Sequence, residues 1–155
     1  MKKTFVLILD NIRSLYNVGA IFRIADSAGI NKIYLGGITA WKDGVLNPRV
    51  KKTALGAEKN ICWEHYWHTF KIVDKLKKQG FQIVALEQTP KSISYRKFKP
   101  KFPLALVVGN EKRGVSPALL KRADKIIELP MKGKKKSLNV AVATGIAVYE
   151  INKYR

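Results

Sequence analysis

Three stretches of this 155-residue chain carry side chains whose types and spacing could do chemistry. In the last of them, Lys132-Gly-Lys-Lys-Lys-Ser-Leu-Asn139 runs from a cationic loop into an apolar segment that continues through Ile146, Val148 and Tyr149. With Ser137 as cap, that segment is a helix whose first N–H groups lack partners and whose positive dipole end lies beside the lysines. Such an arrangement suits an anionic or polar ligand. In the first stretch, Asn17 and Arg23 fall in a run of helical spacing (Val18, Ile21, Phe22, Ile24, Ala25, Ala28), with Asn17 as N-cap and Gly29 as stop. Taken singly, Asn17 need be no more than a cap and Arg23 no more than a solvated charge. The middle stretch is Gly109-Asn-Glu-Lys-Arg-Gly-Val-Ser116. It opens like a phosphate-binding loop and has Ser116 in the hydroxyl position. Val115, however, stands where the lysine that grips the β- and γ-phosphates belongs, which argues against nucleotide hydrolysis. Glu111 in this loop would repel a phosphate but accept hydrogen bonds from donor groups. A fourth pattern joins Cys62, His65 and His68 at three-residue spacing. The chain has no other Cys or His, and structural zinc sites want four ligands, so packing with Trp63, Tyr66 and Trp67 is expected and no metal.

The elements that must position these residues alternate along the chain. Thr4 to Leu9 is a continuous apolar run and reads as a buried strand, followed by a loop from Asp10 to Tyr16. Lys32 to Leu35 is a second strand, and residues 38–47 are a loop. Asn47-Pro48 starts a helix to about Leu55, whose Lys51, Lys52 and Thr53 either touch phosphate or stay solvated. Ile61 to Trp63 is a short strand. Tyr66 to Gln79 is an amphipathic helix with Phe70, Val73 and Leu76 on one face, ended by Gly80. Phe81 to Leu86 and Leu104 to Val108 are buried strands, Pro117 starts a helix, and Ile126 to Leu129 is a strand stopped by Pro130. Residues 91–101 interleave Lys and Arg with Tyr95 and Phe98, near Phe102. That pattern suits either base stacking with phosphate contact or an ordinary loop with core anchors. Alternating strands and helices predict an α/β fold, a mainly parallel sheet with helices on both faces. The three chemical stretches each follow a strand directly, so they converge at the carboxyl edge of that sheet, where such sheets bind ligands.

Charge narrows the partners. Thirty Lys and Arg against eleven Asp and Glu give a formal net charge of +19, a field that attracts polyanions. Nucleic acid is the favoured partner; an anionic membrane surface and a generally lysine-rich proteome are the competing explanations. The charges are scattered along the chain, which disfavours a flexible polybasic arm. No apolar run is long enough to span a membrane or form a signal segment, and the single cysteine fits a reducing cytoplasm. A cytoplasmic protein without membrane contact is expected.

Together, three segments resemble the motifs of the SpoU (TrmH-like) branch of the SPOUT RNA methyltransferases. They are Asn11 through Gly29, Val107 through Ser116, and Leu129 through Ile146, in the family's order and spacing and across almost the whole chain. Ala141 stands where many members carry serine. The resemblance implies a C-terminal trefoil knot that holds S-adenosylmethionine against backbone groups of Leu86, Glu87, Gly109, Leu129, Met131 and Leu138. It implies a homodimer with the active site near the subunit interface. It also implies methyl transfer to a ribose 2′-hydroxyl of RNA, with tRNA favoured over rRNA. By matching motif positions Arg23 is the family's catalytic arginine, supported by Asn17, while Glu111, Ser137 and Asn139 orient it and the ribose or cofactor. Arg23 would act either as general base or, more comfortably for a guanidinium, by holding a phosphate and stabilising the developing alkoxide. Because the first strand starts at Thr4, residues 1–155 are expected to form one SpoU-type methyltransferase domain with no separate RNA-binding domain, so the domain itself would grip RNA. The alternative is a non-catalytic RNA-binding protein that retains the knotted fold.

Overall fold

The computed structural model describes residues 3–155. Its elements, in chain order, begin with β1 (Phe5–Asp10), α1 (Leu15–Ser27), β2 (Lys32–Gly36), β3 (Trp41–Lys42) and β4 (Val45–Leu46). A 3-10 turn (Pro48–Val50) then leads into α2 (Lys51–Ala54), α3 (Ala57–Asn60), β5 (Trp63–Tyr66), α4 (Thr69–Lys78), β6 (Gln82–Leu86) and β7 (Ile93–Ser94). The chain ends with β8 (Leu104–Gly109), α5 (Pro117–Arg122), β9 (Lys125–Glu128) and α6 (Val140–Asn152).

Seven strands form one sheet in the order β5-β2-β1-β8-β6-β9-β7, and every pairing in it is parallel. The chain runs outward from β1 through β2 to β5, then returns to the other side of β1 for the remaining strands. Parallel strands need crossovers, and crossover helices cover both faces, which is why β1 and β8 are apolar runs with every residue buried. Side chains alternate between two cores. Leu7, Leu9, Leu35 and Leu106 pack with Ile21, Phe22 and Val148 under α1 and α6. Ile8, Tyr34, Ile83 and Val107 pack with Ile72, Leu76 and Leu119 under α4 and α5. The predicted parallel α/β layering with helices on both faces is therefore observed.

Local departures from the expectations have identifiable causes. Helix α1 starts at Leu15, capped by Ser14, whose hydroxyl accepts from Asn17 N at 3.2 Å; Asn17 is inside the first turn and not the cap. Likewise the last helix is capped by Asn139 and not by Ser137: Asn139 Oδ1 accepts from the N–H groups of Ala141 and Val142. In both places two residues able to cap stood close together. Tyr66 ends strand β5 and does not begin a helix, because Gly37 N bonds Tyr66 O and extends the parallel pairing; the helix waits until Thr69. The loop over 38–47 holds the antiparallel β3–β4 hairpin. Phe98 is buried in the core and so anchors its loop from within.

Helix α1 approaches α2 closely enough to need a residue without a side chain. A Cβ on Gly19 would lie 2.4 Å from the carbonyl oxygen of Val50 and 2.0 Å from Thr53 Oγ1, whose hydroxyl donates to Tyr16 O. Gly19→Ala is expected to cost about 1–3 kcal/mol through overpacking. The urea midpoint of the purified variant measures this; an unchanged midpoint would show that α2 yields freely.

Candidate active site

The site is built from loops that leave the carboxyl ends of the strands. After β8, Asn110 and Gly114 exchange backbone hydrogen bonds of 3.1 and 2.8 Å, and Asn110 Oδ1 accepts from the N–H groups of Lys112 and Arg113. This tight turn aims Glu111 back at the loop between β1 and α1. Its Oε1 accepts from Ser14 N at 2.9 Å and Asn17 Nδ2 at 3.2 Å, and its Oε2 accepts from Arg13 N at 3.1 Å. Asn17 in turn accepts, through Oδ1, from Asn139 Nδ2 at 3.0 Å. A relay of polar contacts thus joins the three chemical stretches, from Glu111 through Asn17 to Asn139 and the start of α6.

Beside this relay lies a cleft of about 460 Å³. Each of Leu86, Glu87, Gly109, Leu129, Met131 and Leu138 lines it, together with Ser137 and Asn139. Leu86, Leu129 and Leu138 offer apolar walls for a flat ring, while the ends of β6 and β8 present backbone polar groups. Glu87 does not turn its carboxylate loose in the cleft. Oε2 accepts from Val115 N at 2.9 Å and Oε1 from Gln88 N at 2.8 Å, so the side chain fastens the Gly109–Ser116 turn. A Cβ on Gly109 would lie 2.3 Å from both Gly114 C and Val115 N, so the turn folds over this strand end only if residue 109 has no side chain. Gln88 Nε2 donates to Lys136 O, tying the lysine-rich loop to the rim.

Arg23 is not brought to this cleft within one chain. It lies six residues beyond Asn17, about one and two-thirds helical turns, and so emerges on another face of α1. There it borders a shallow depression with Asp26, Leu55 and Asn60. Sequence reasoning missed Ser14, Asn110 and Gln88, which shape the site through backbone contacts. The signal for Ser14 was its place three residues before Asn17, the cap-to-third-position spacing; Asn110 and Gln88 left no such mark. Of the Cys62, His65 and His68 run, His65 stacks on Trp41 with ring centroids 4.2 Å apart, and His68 lies 5.6 Å from Phe70.

A parallel α/β sheet with a ligand cleft and a polar relay at its carboxyl edge defines the class, and comparison with known proteins defines the family. Residues 4–149 match the SpoU rRNA Methylase family, and the chain belongs to it. The tRNA (guanosine(18)-2′-O)-methyltransferase of Aquifex aeolicus is 35% identical over 154 residues, 99% of this chain and 71% of that protein. A TrmH-family protein of Bacillus subtilis is 31% identical, and this chain spans 60% of its length. Among solved structures, the A. aeolicus TrmH/SpoU tRNA modifying enzyme superposes with a TM-score of 0.88 at 35% identity, over 99% of this chain and 76% of that one. An AdoMet-bound rRNA methyltransferase from Sinorhizobium meliloti gives 0.89 at 29% identity, over 99% of this chain and 57% of that one.

Burial alone would raise the Glu111 pKa, but the donors from Ser14, Arg13 and Asn17, with its own backbone N–H, outweigh it and hold the carboxyl below its usual range. A depressed carboxyl contributes stability that is present above its unfolded value, about 4.3, and is lost as pH falls through the lower folded value. Urea midpoints compared between about pH 6 and about pH 3 should therefore fall more steeply in wild type than in Glu111→Gln, which lacks this titration. Parallel pH profiles for the two proteins would remove the role given to this carboxylate.

Proposed function

We propose that this chain is an S-adenosylmethionine-dependent RNA methyltransferase that methylates a ribose 2′-hydroxyl, in tRNA by preference and in rRNA as the second substrate class. The observation that carries this reading is the convergence of all six expected cofactor-contacting residues on one cleft, with the Glu111–Asn17–Asn139 relay at its rim. The A. aeolicus relative is named as a tRNA guanosine 2′-O-methyltransferase and the S. meliloti structure as an AdoMet-bound rRNA methyltransferase, which supports both the cofactor and the substrate class. When bound, S-adenosylmethionine supplies an electrophilic sulfonium methyl group. In this reading the residues of the chain do the rest. Leu86, Leu129 and Leu138 enclose the adenine, and backbone groups of Glu87, Gly109 and Met131 fix its polar edge. Asn139 and Ser137 orient the ribose at the start of α6, and Glu111 holds Asn17 in place to do the same. The trefoil threading of the C-terminal part belongs to this proposal, as does a single methyltransferase domain spanning the chain.

A homodimer is proposed as well. Val142, Ile146 and Tyr149 repeat at four- and three-residue spacing along α6 and are 52%, 39% and 54% exposed. That unpaired apolar stripe lies on the same helix whose Val140 and Ala143 line the cleft. A second copy docked there would sit at the rim of the site and bring its own α1. Arg23, off the cleft in its own chain, would then serve the neighbouring one, holding a phosphate and stabilising the developing alkoxide.

Methyl transfer from labelled S-adenosylmethionine to small RNA and ribosomal RNA, taken from cells lacking this protein, tests the activity. Nuclease digestion and mass analysis should reveal a 2′-O-methylated nucleoside, and the RNA fraction gives the substrate. Intact cofactor binding with no transfer to either pool would favour the non-catalytic RNA binder. The shared site has its own test. Gly109→Ala should displace the Gly109–Ser116 turn that walls the cleft, and Arg23→Ala should remove the cation, so each alone should be inactive. Co-expressed as mixed dimers, they should recover activity, because one cleft then has both intact parts. Failure to recover would place Arg23 and the cleft in the same chain or remove Arg23 from the reaction.

A further inference from the structure

We propose that the exposed indole of Trp67, backed by the Trp41–His65 stack, is a platform on which the RNA acceptor lays an unpaired base a few nucleotides from the one whose ribose enters the cleft. The occupant, RNA, rests on the methyltransferase reading; the platform rests on the geometry that follows.

Trp67 follows directly after β5 and is 65% exposed, although tryptophan is a residue that folding ordinarily covers. It is not a loose side chain. Its ring meets His65 edge-on, with centroids 4.9 Å apart and an interplanar angle of 87°. His65 lies flat on Trp41, 4.2 Å away and 5° from parallel, and Trp41 in turn meets Trp63 edge-on at 6.5 Å. His65 Nε2 is 2.6 Å from Gly37 O, which fixes the imidazole plane. Trp41 is carried by the β3–β4 hairpin, whose two-residue turn Asp43-Gly44 has φ of 50° and 82°, the signature of a tight turn matched to strand twist. A rigid cluster of rings thus holds one indole towards solvent.

The platform shares an edge with the cleft. Asp10 pairs with both Gly36 and Gly109, and Gly36 pairs with Tyr66, so the four residues form one row across the sheet. Trp67 leaves one end of that row just as Asn110 leaves the other. Three strand spacings separate β5 from β8, roughly 14 Å. The loops along that edge are cationic: Arg13, Lys112 and Arg113 are exposed after β1 and β8, and Lys42, next to Trp41 in sequence, is exposed on the hairpin. Of the nearby acids, Asp43 is in the hairpin turn, Glu64 is paired with Lys32, and the Glu111 carboxylate is engaged by the Arg13 and Ser14 N–H groups and the Asn17 amide. Basic residues that track a phosphate backbone towards an aromatic ring that accepts a base are the two ingredients of single-strand recognition. In a chain of net charge +19, this makes RNA the occupant that fits, ahead of an apolar protein face.

The test is a fluorescence-anisotropy titration of a labelled single-stranded oligoadenylate with the full chain. Trp67→Ala should weaken binding about tenfold, and Trp67→Phe, which keeps a ring, should stay within about threefold of wild type. The slope of log affinity against log salt should be the same in all three proteins, because stacking releases no counterions. Unchanged affinity in Trp67→Ala, or a shallower salt slope, would overturn the platform. A change of oligomeric state in Trp67→Ala, read by sedimentation, would also overturn it and give the face to a second copy of the chain. S-adenosylmethionine binding, measured calorimetrically on the same samples, separates the two readings. Weakened oligoadenylate binding in a protein that takes the cofactor supports both, and the same loss in a protein that does not take it supports the platform and overturns the methyltransferase.

Discussion

A carboxylate surrounded by donors is the interaction on which the site depends. Glu111 gathers two backbone N–H groups and one side-chain amide from the β1–α1 region, and through Asn17 it reaches the residue that caps α6. These contacts join parts of the chain that are far apart in sequence. Each donor would otherwise have to find water or go unsatisfied, so the loops settle where one acidic group serves them all. In a chain with so few acids, the placement of this one next to backbone amides also keeps the cationic surface free for a polyanion.

The sheet makes that convergence possible. Its strands are all parallel, so the loops that follow them emerge on one edge, while helices on both faces supply most of the core and the loops add single anchors such as Ile12 and Val115. Asp10 shows how the edge is held. It is 2% exposed, yet its Oδ1 accepts from Thr69 Oγ1 at 2.8 Å and its Oδ2 from Ser116 N at 3.2 Å, tying the end of β1 to the starts of α4 and α5. Gly109 allows the turn above it to fold down onto the strand. The cleft thus follows from close backbone packing at one edge, and its floor is shared with the core through Val108, Leu86 and Val140.

Much of this was legible from residue patterns. The apolar runs at β1 and β8 announced buried strands, and the alternation of strands and helices announced the parallel sheet, because burial on two faces leaves an unmistakable composition. The cleft residues were placed through family resemblance on motif positions, and each lies on the cleft wall. What failed was local. Asn17 and Ser137 were given caps that belong to Ser14 and Asn139, since neighbouring polar residues compete for the same N–H groups and only the final geometry decides. Tyr66 was drawn into a helix by periodicity, whereas backbone pairing with β2 decided otherwise. The short β3–β4 hairpin was passed over even though Asp43-Gly44 is a recognisable turn pair. Where Arg23 would act was not legible at all, because a residue's face on a helix matters only relative to what packs there.

The pairing of β1 with β8 has a consequence for how the protein is made. Phe5 lies opposite Leu104, so β1 waits until every strand from β2 through β7 has been made before its second neighbour exists. Synthesis at roughly 5–20 residues per second puts several seconds between the two strands. During that interval β1 can pair only with β2, and its other edge stays open on a nascent chain rich in Val, Leu and Ile. Sheets assembled from such distant partners close slowly and expose sticky edges meanwhile. Production of this protein should accordingly be sensitive to temperature and to chaperone supply, a property set by strand order and independent of anything the cleft does.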